Sequence, residues 1–194
     1  PGPEGEENMT SLNPTKNTFN FQSSLSLNNE YFNKFNLQGT VSEYNHSERT
    51  GDGNNHNINF FSDLYEIKTS LNHNSIIDGN SDGLIGFHFQ NYDQGALGQE
   101  ESHLVHTRTS SFALFALESF NFNLFDLDVG GRLESVNLKN TSLEKGFFPS
   151  AFSSTIKRKI FNNSNAFAGF DFTERAPNAV ELFDAIPTNI NCNR

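Results

Sequence analysis

Cysteine, methionine, tryptophan and positive charge are all scarce in this chain, and each shortage narrows what it can be. Its only cysteine, Cys192, can close no internal disulfide and cannot by itself build a thiolate metal cluster. No uninterrupted apolar run approaches the ~20 residues that a membrane-crossing helix needs. Lys and Arg number 13 against 23 Asp and Glu, giving a formal net charge of -10 and a pI near 4.9. Phosphate binding requires clustered basic side chains, so nucleic acid is not an expected partner. The one basic cluster, Lys157-Arg158-Lys159, reads as a solvated strand end. There is no Gly-x-x-x-x-Gly-Lys phosphate loop and no Gly-x-Ser-x-Gly elbow, and no enzymatic activity is expected. Asp52-Gly-Asn-Asn opens like a calcium loop but lacks the closing Glu at the required spacing. The opening Pro1-Gly-Pro-Glu-Gly-Glu-Glu has neither the basic nor the apolar region of a signal peptide, so the expected status is a mature, engineered or partial chain.

Phenylalanine, by contrast, is abundant, at 21 of 194 residues, although the mean hydropathy is only -0.56. Period-2 alternation reconciles the two, because a strand with one apolar face needs apolar residues only at every second position. Phe19, Phe21, Leu25 and Leu27 alternate with Asn20, Gln22, Ser24 and Ser26. Phe35, Leu37, Gly39 and Val41 alternate with Asn36, Gln38, Thr40 and Ser42. The next strand starts at Ile58 and Phe60 and changes parity before Tyr65, Ile67, Thr69 and Leu71, which predicts a bulge near 61–64. Ile85, Phe87 and Phe89 oppose Gly86, His88 and Gln90. Phe112–Phe122 is apolar at both parities, so its facing is open. Phe125, Leu127, Val129, Gly131 and Leu133 oppose Asp126, Asp128, Arg132 and Glu134, which suggests an ion-pair ladder along a wet face. After Phe148, Phe152 and Ile156 comes a last strand, Ala166 to Thr173, ending in Arg175-Ala-Pro177 with Asn178 as a helix cap.

About eight antiparallel strands of roughly 9–13 residues follow, near the length that crosses a bilayer at a tilt. Turns at Asn28–Asn33, Asp78–Gly83, Asn123 and Asn162–Asn165 are short, whereas Tyr44–His56, Tyr92–Arg108, Asn137–Phe147 and the region of Pro177 read as long polar connections. Short turns on one side and long loops on the other are a feature of outer-membrane barrels. A soluble two-sheet sandwich and a complete eight-stranded barrel with a structural or adhesion role are the competing architectures.

The order of several short motifs resembles the TonB-dependent outer-membrane receptors, in their zinc- and iron-uptake branch. They are Tyr44-x-His46-x-Glu48, Gly83-x-x-Gly86, an acidic stretch from Gly95 to Glu101, Val129-Gly-Gly-Arg-Leu-Glu134, and Arg175-Ala-Pro177 followed by Glu181-Leu-Phe183. The resemblance covers residues 17–183, with 1–16 expected as a polar lead-in and 184–194 as an irregular tail. It implies an all-β transmembrane segment within a receptor barrel of roughly 22 strands. It further implies a bacterial outer-membrane location and energy-coupled import of zinc, a siderophore or haem. The partners would be lipid, the transported metal or metallophore, and the TonB complex acting through a plug that this sequence does not show. No resident cofactor is implied. His46 and Glu48 are the candidate metal ligands, since imidazole and carboxylate suit Zn²⁺. Arg132, Glu134, Arg175, Pro177 and Glu181 are the motif residues. His56, His73, His88, His103 and His106 read as solvated polarity, with His88 facing a lumen.

Overall fold

The computed structural model describes residues 10–50, 56–75, 80–98, 106–161 and 163–183. Nine strands form a single antiparallel sheet in chain order: β1 Thr10–Ser26, β2 Phe32–Thr50, β3 His56–His73, β4 Ser81–Gly98, β5 Thr107–Asn121, β6 Asp126–Lys139, β7 Glu144–Phe147, β8 Ser150–Phe161 and β9 Ser164–Thr173. The short β7 pairs only with the outer end of β6, and β8 takes over the remainder of that edge. A one-turn helix, α1 (Ala179–Phe183), ends the described chain. The path runs from β1 to β9 without closing, so among the described residues neither a second sheet nor a closed small barrel forms.

The alternation read from the sequence becomes two unlike faces. Leu25, Phe35, Leu71, Ile85, Ala116, Gly131, Phe152 and Phe172 stand in one register row across the sheet. The adjacent row, Ser24, Asn36, Ser70, Gly86, Phe115, Arg132, Ala151 and Thr173, points to the other side. Register settles the ambiguous β5: Phe112, Leu114 and Ala116 join the apolar face, and Ala113, Phe115 and Leu117 the polar one. With one layer only, little is buried. The buried apolar residues are Ala113, Val136, Leu138 and Ala179, whereas Phe19, Leu25, Ile67, Leu114, Leu133, Phe170 and many others stay exposed.

Several expectations are corrected. β1 begins at Thr10, so residues 10–16 are strand and not lead-in; Pro14 is tolerated because β1 is an edge. Most of Tyr44–His56 and Tyr92–Arg108 is also strand, since β2 reaches Thr50, β4 reaches Gly98 and β5 starts at Thr107. The first five strands are therefore 15 to 19 residues long, because polar side chains do not end a ladder whose backbone groups still find partners. No bulge occurs at 61–64: both registers of β3 are continuous there, and the irregularities fall at Phe32/Lys34 and Lys159/Phe161. The parity change has another cause. Phe60 lies on the polar face, stacked on His46, while Tyr65, Ile67 and Leu71 lie on the apolar face. The tail 184–194 and the calcium-like stretch at 52–55 lie outside the described residues.

Glycine is required on β4 where the Phe115 side chain of the neighbouring β5 folds over it. A Cβ on Gly86 would collide with the Phe115 ring and come within 2.6 Å of the Thr69 carbonyl oxygen. Gly86→Ala is expected to cost about 1–3 kcal/mol, as overpacking does. Urea unfolding in detergent micelles, followed by circular dichroism, measures the loss.

Candidate functional site

The polar face is wired mainly across strands, with Arg132–Glu134 and His46–Glu48 as pairs along a single strand. Nearest β1 the links are neutral: Thr18 to Ser42 at 2.9 Å, Thr40 to Asn20 at 3.0 Å, and Ser24 to Asn36, whose amide donates to Ser70 and Asn72. The charged part lies at the centre. His88 on β4 bonds Glu66 on β3 through Nε2 at 2.8 Å, and its Nδ1 receives Arg132 Nη2 from β6 at 3.1 Å. Arg132 Nε also donates to Glu134 at 3.2 Å. A guanidinium can only donate, so His88 Nδ1 accepts and the ring proton sits on Nε2, aimed at Glu66.

This chain of four side chains has to cross β5. It does so at Ala113, which stands in register between His88 and Glu134 and is 0 % exposed. A larger side chain there would occupy the space of the bridge. Beside it, Lys68 Nζ lies 5.2 Å from the centre of the Phe115 ring, a cation–π contact. Lys68, Phe115, Arg132 and Asp171 line a depression of about 370 Å³ on this face. Of the expected ladder along β6 the Arg132–Glu134 pair forms and continues across β5 to His88 and Glu66, whereas Asp128 accepts from Ser119 at 2.7 Å.

The two C-terminal motifs meet this network. Glu134, Arg175, Ala176 and Pro177 line one cleft of about 240 Å³ together with Gln90 and Thr109. Arg175 and Glu181 form a two-pronged pair at 2.7 and 2.6 Å. Asn178 Oδ1 accepts the Glu181 N–H at 2.8 Å while Glu181 Oε2 accepts the Asn178 N–H at 2.9 Å, a reciprocal capping box. Glu174 completes the anchor by accepting from the Ser150 hydroxyl and backbone N–H.

His46 and Glu48 are not in a loop; both lie on the polar face of β2, two residues apart. They bond each other at 3.3 Å, and the His46 ring stacks on Phe60 at 4.5 Å between centres. Among the described residues no group of three His, Cys, Asp or Glu side chains is arranged to hold a metal ion. His46 and Glu48 are two side chains of metal-binding type, and among the described residues no third joins them. His88 takes the polar face as expected. His73 and His106 lie on the other side, bonded to Glu118 and Asp93 at 2.7 and 2.6 Å. His103 and the His56 side chain lie outside the described residues. Glu66, Lys68 and Phe115 are network members that the sequence did not signal, because only register brings them beside Arg132.

What the arrangement can do is bind and orient. It offers donors and acceptors of both signs along a wettable surface, with strands held at fixed spacing. Arg132→Leu strands the Glu134 carboxylate and the His88 acceptor, and is expected to lower stability by about 1–3 kcal/mol; urea unfolding in micelles, compared with Gln90→Leu, measures it. Arg175 and the Asn178 N–H push the Glu181 carboxyl down to about 2. A depressed carboxyl contributes above its unfolded value of about 4.3 and is lost only as pH falls through the folded one. The clasp should therefore hold at pH 4 and open near pH 2, as carboxyl ¹³C shifts would read directly. No protein-family model and no curated protein matches this sequence.

Proposed function

We propose that this chain is part of an outer-membrane β-barrel of the TonB-dependent receptor kind, importing a metal ion or metal chelate. The observation that carries the reading is the division of one open sheet into an apolar face and a polar one. Exposed apolar patches on soluble monomers rarely exceed a few hundred Å². Here the large apolar side chains of eight strands share one side, and among the described residues nothing lies over them.

A bilayer supplies the missing cover without a second protein layer. On each strand the apolar run is limited: Phe19–Leu25, Phe35–Val41, Tyr65–Leu71, Ile85–Phe89, Phe112–Ala116, Leu127–Leu133, Phe152–Ile156 and Ala168–Phe172. Charged and polar side chains follow it on the same face, including Glu43, Asp63, Asp93, Arg108 and Lys139. That is a band with polar margins, the pattern of a lipid-facing belt. An apolar trough of about 870 Å³ crosses the band from Phe35 to Phe172. Its lining is mainly hydrocarbon, with Thr69, Ser70, Arg132 and Ser150 as the polar members, so acyl chains suit it better than a polar ligand.

The free edges of β1 and β9 then pair with further strands, since lipid tolerates no open edge. The polar face becomes the inner wall, where Lys68, Arg132, Glu134 and the Arg175–Glu181 clasp meet the solute path. His46 and Glu48 are two metal ligands at one end of that wall. The import role and the metal class rest on the motif resemblance; the belt supports the membrane part.

Two substitutions test the belt. In folded protein reconstituted into liposomes, Leu114→Arg should cost about 2–4 kcal/mol, as lipid-facing Arg does at mid-bilayer. Gln90→Arg, on the polar face, should cost far less. Equal costs, or a wild-type chain that stays folded and monomeric in buffer without detergent, would sink the reading. Zn²⁺ binding that is unchanged by His46→Ala would remove His46 from the metal path.

A further inference from the structure

His73 differs from the other described histidines in being shut away from solvent with an acceptor at each ring nitrogen. It ends β3, past the apolar band at the short-turn end, and is 3 % exposed. Nδ1 lies 2.9 Å from the Asn74 carbonyl oxygen and Nε2 lies 2.7 Å from Glu118 Oε1. A carbonyl and an ionised carboxylate only accept, so both ring nitrogens must carry hydrogen for both bonds to form. That is the imidazolium, the opposite of His88, where Arg132 forces one nitrogen to accept.

The pair spans three strands. His73 stands opposite Gly83 on β4, and Gly83 stands opposite Glu118 on β5. A Cβ on Gly83 would meet the Leu117 carbonyl oxygen and reach within 2.7 Å of Glu118 Oε2. The glycine therefore leaves the opening through which the bridge passes. We propose that His73, Gly83 and Glu118 form a proton-held clasp that ties β3 to β5 across β4 and fixes the short-turn rim of the sheet only while His73 is charged.

The surroundings agree with that. Phe32 and Gly83, which face His73 from β2 and β4, carry no charge. The charged groups around it among the described residues are Glu118 and, from the start of β4, Asp82. Burial opposes a charged ring, but the bonds to Asn74 and Glu118 and the two carboxylates outweigh it and hold the imidazole above its ordinary value. A raised value means the contribution is complete below about pH 6.5 and is lost as pH rises through the folded one. Loss of one proton leaves Nδ1 facing the carbonyl, or Nε2 facing the carboxylate, with no hydrogen between them. The same end carries the Asn74–Tyr31 backbone bond at 2.8 Å and the Asn33–Asn74 amide bond at 2.7 Å, so loosening there would spread to the β1–β2 turn.

The test is to read the charge of His73 itself. In the full chain with ¹⁵N-labelled histidine, folded in detergent micelles, ring nitrogen shifts would be followed from pH 5 to 10. Both His73 nitrogens should be protonated at pH 7, with a midpoint above about 6.5. Glu118→Gln, which keeps the shape, should lower that midpoint by about one pH unit, a tenfold loss of proton affinity. The urea midpoint of the wild type should fall between pH 6 and pH 9 by more than that of Glu118→Gln or His73→Gln. A neutral His73 at pH 7, an unchanged midpoint in Glu118→Gln, or an equal pH dependence of stability in all variants would overturn the clasp. If His73→Gln does not fold, the shift titration of the wild type and of Glu118→Gln still decides it.

Discussion

An unbroken antiparallel register is the constraint on which the rest of the structure depends. Because side chains alternate strictly, one continuous ladder from β1 to β9 collects every correctly phased Phe, Leu, Ile and Val on one side. A slip of one residue in any pairing would place apolar groups among Glu66, His88 and Arg132. The ladder satisfies the backbone but buries almost no hydrocarbon within the chain. At about 25 cal/mol per Å² of apolar surface removed from water, the main stabilising term must come from whatever covers the apolar face.

The polar face solves a different problem. Glu66, His88 and Arg132 link β3, β4 and β6, and Arg132 also holds Glu134 on its own strand. Arg132 is the centre of this arrangement, reaching His88 over the small, fully covered Ala113 and holding Glu134 beside the Arg175–Pro177 segment. The glycines serve the same end by making room. Gly86 lies under Phe115 and Gly83 leaves the passage for Glu118. On the apolar side Gly83 and Gly95 are fitted as closely, since a Cβ there would meet Glu118 and the Phe61 ring, whereas Gly131 has open space around it.

Much of this was legible in residue order. The alternation around Phe19, Phe35, Ile85 and Leu127 gave an all-β antiparallel sheet, the turns at Asn28–Asn33 and Asn123, and the placement of His88 opposite Phe87 and Phe89. Strand ends were not legible. Tyr44 to Thr50 looks like a polar loop, but a strand ends where its partner does, and β3 continues alongside it to His56. The supposed bulge near Phe61 failed for a related reason: a change of apolar parity can mean that Phe60 has found a ring to stack on across the sheet. The Arg175–Glu181 pairing could be suspected from the motif, and its capping box from Asn178 at the required spacing.

By itself the sequence determined the period, and hence two faces of opposite character and the absence of any spanning helix, because those follow from local alternation and composition alone. Tertiary structure decided register, and with it everything that depends on residues far apart in the chain: the Glu66–His88–Arg132–Glu134 bridge, the covering of Ala113, the His73–Glu118 pair across Gly83, and the stacking of His46 on Phe60. These contacts join positions up to 45 residues apart, as in His73 to Glu118. No pattern within one strand encodes which neighbour it will face; that is fixed only when the whole ladder has to place its apolar residues on one side at once.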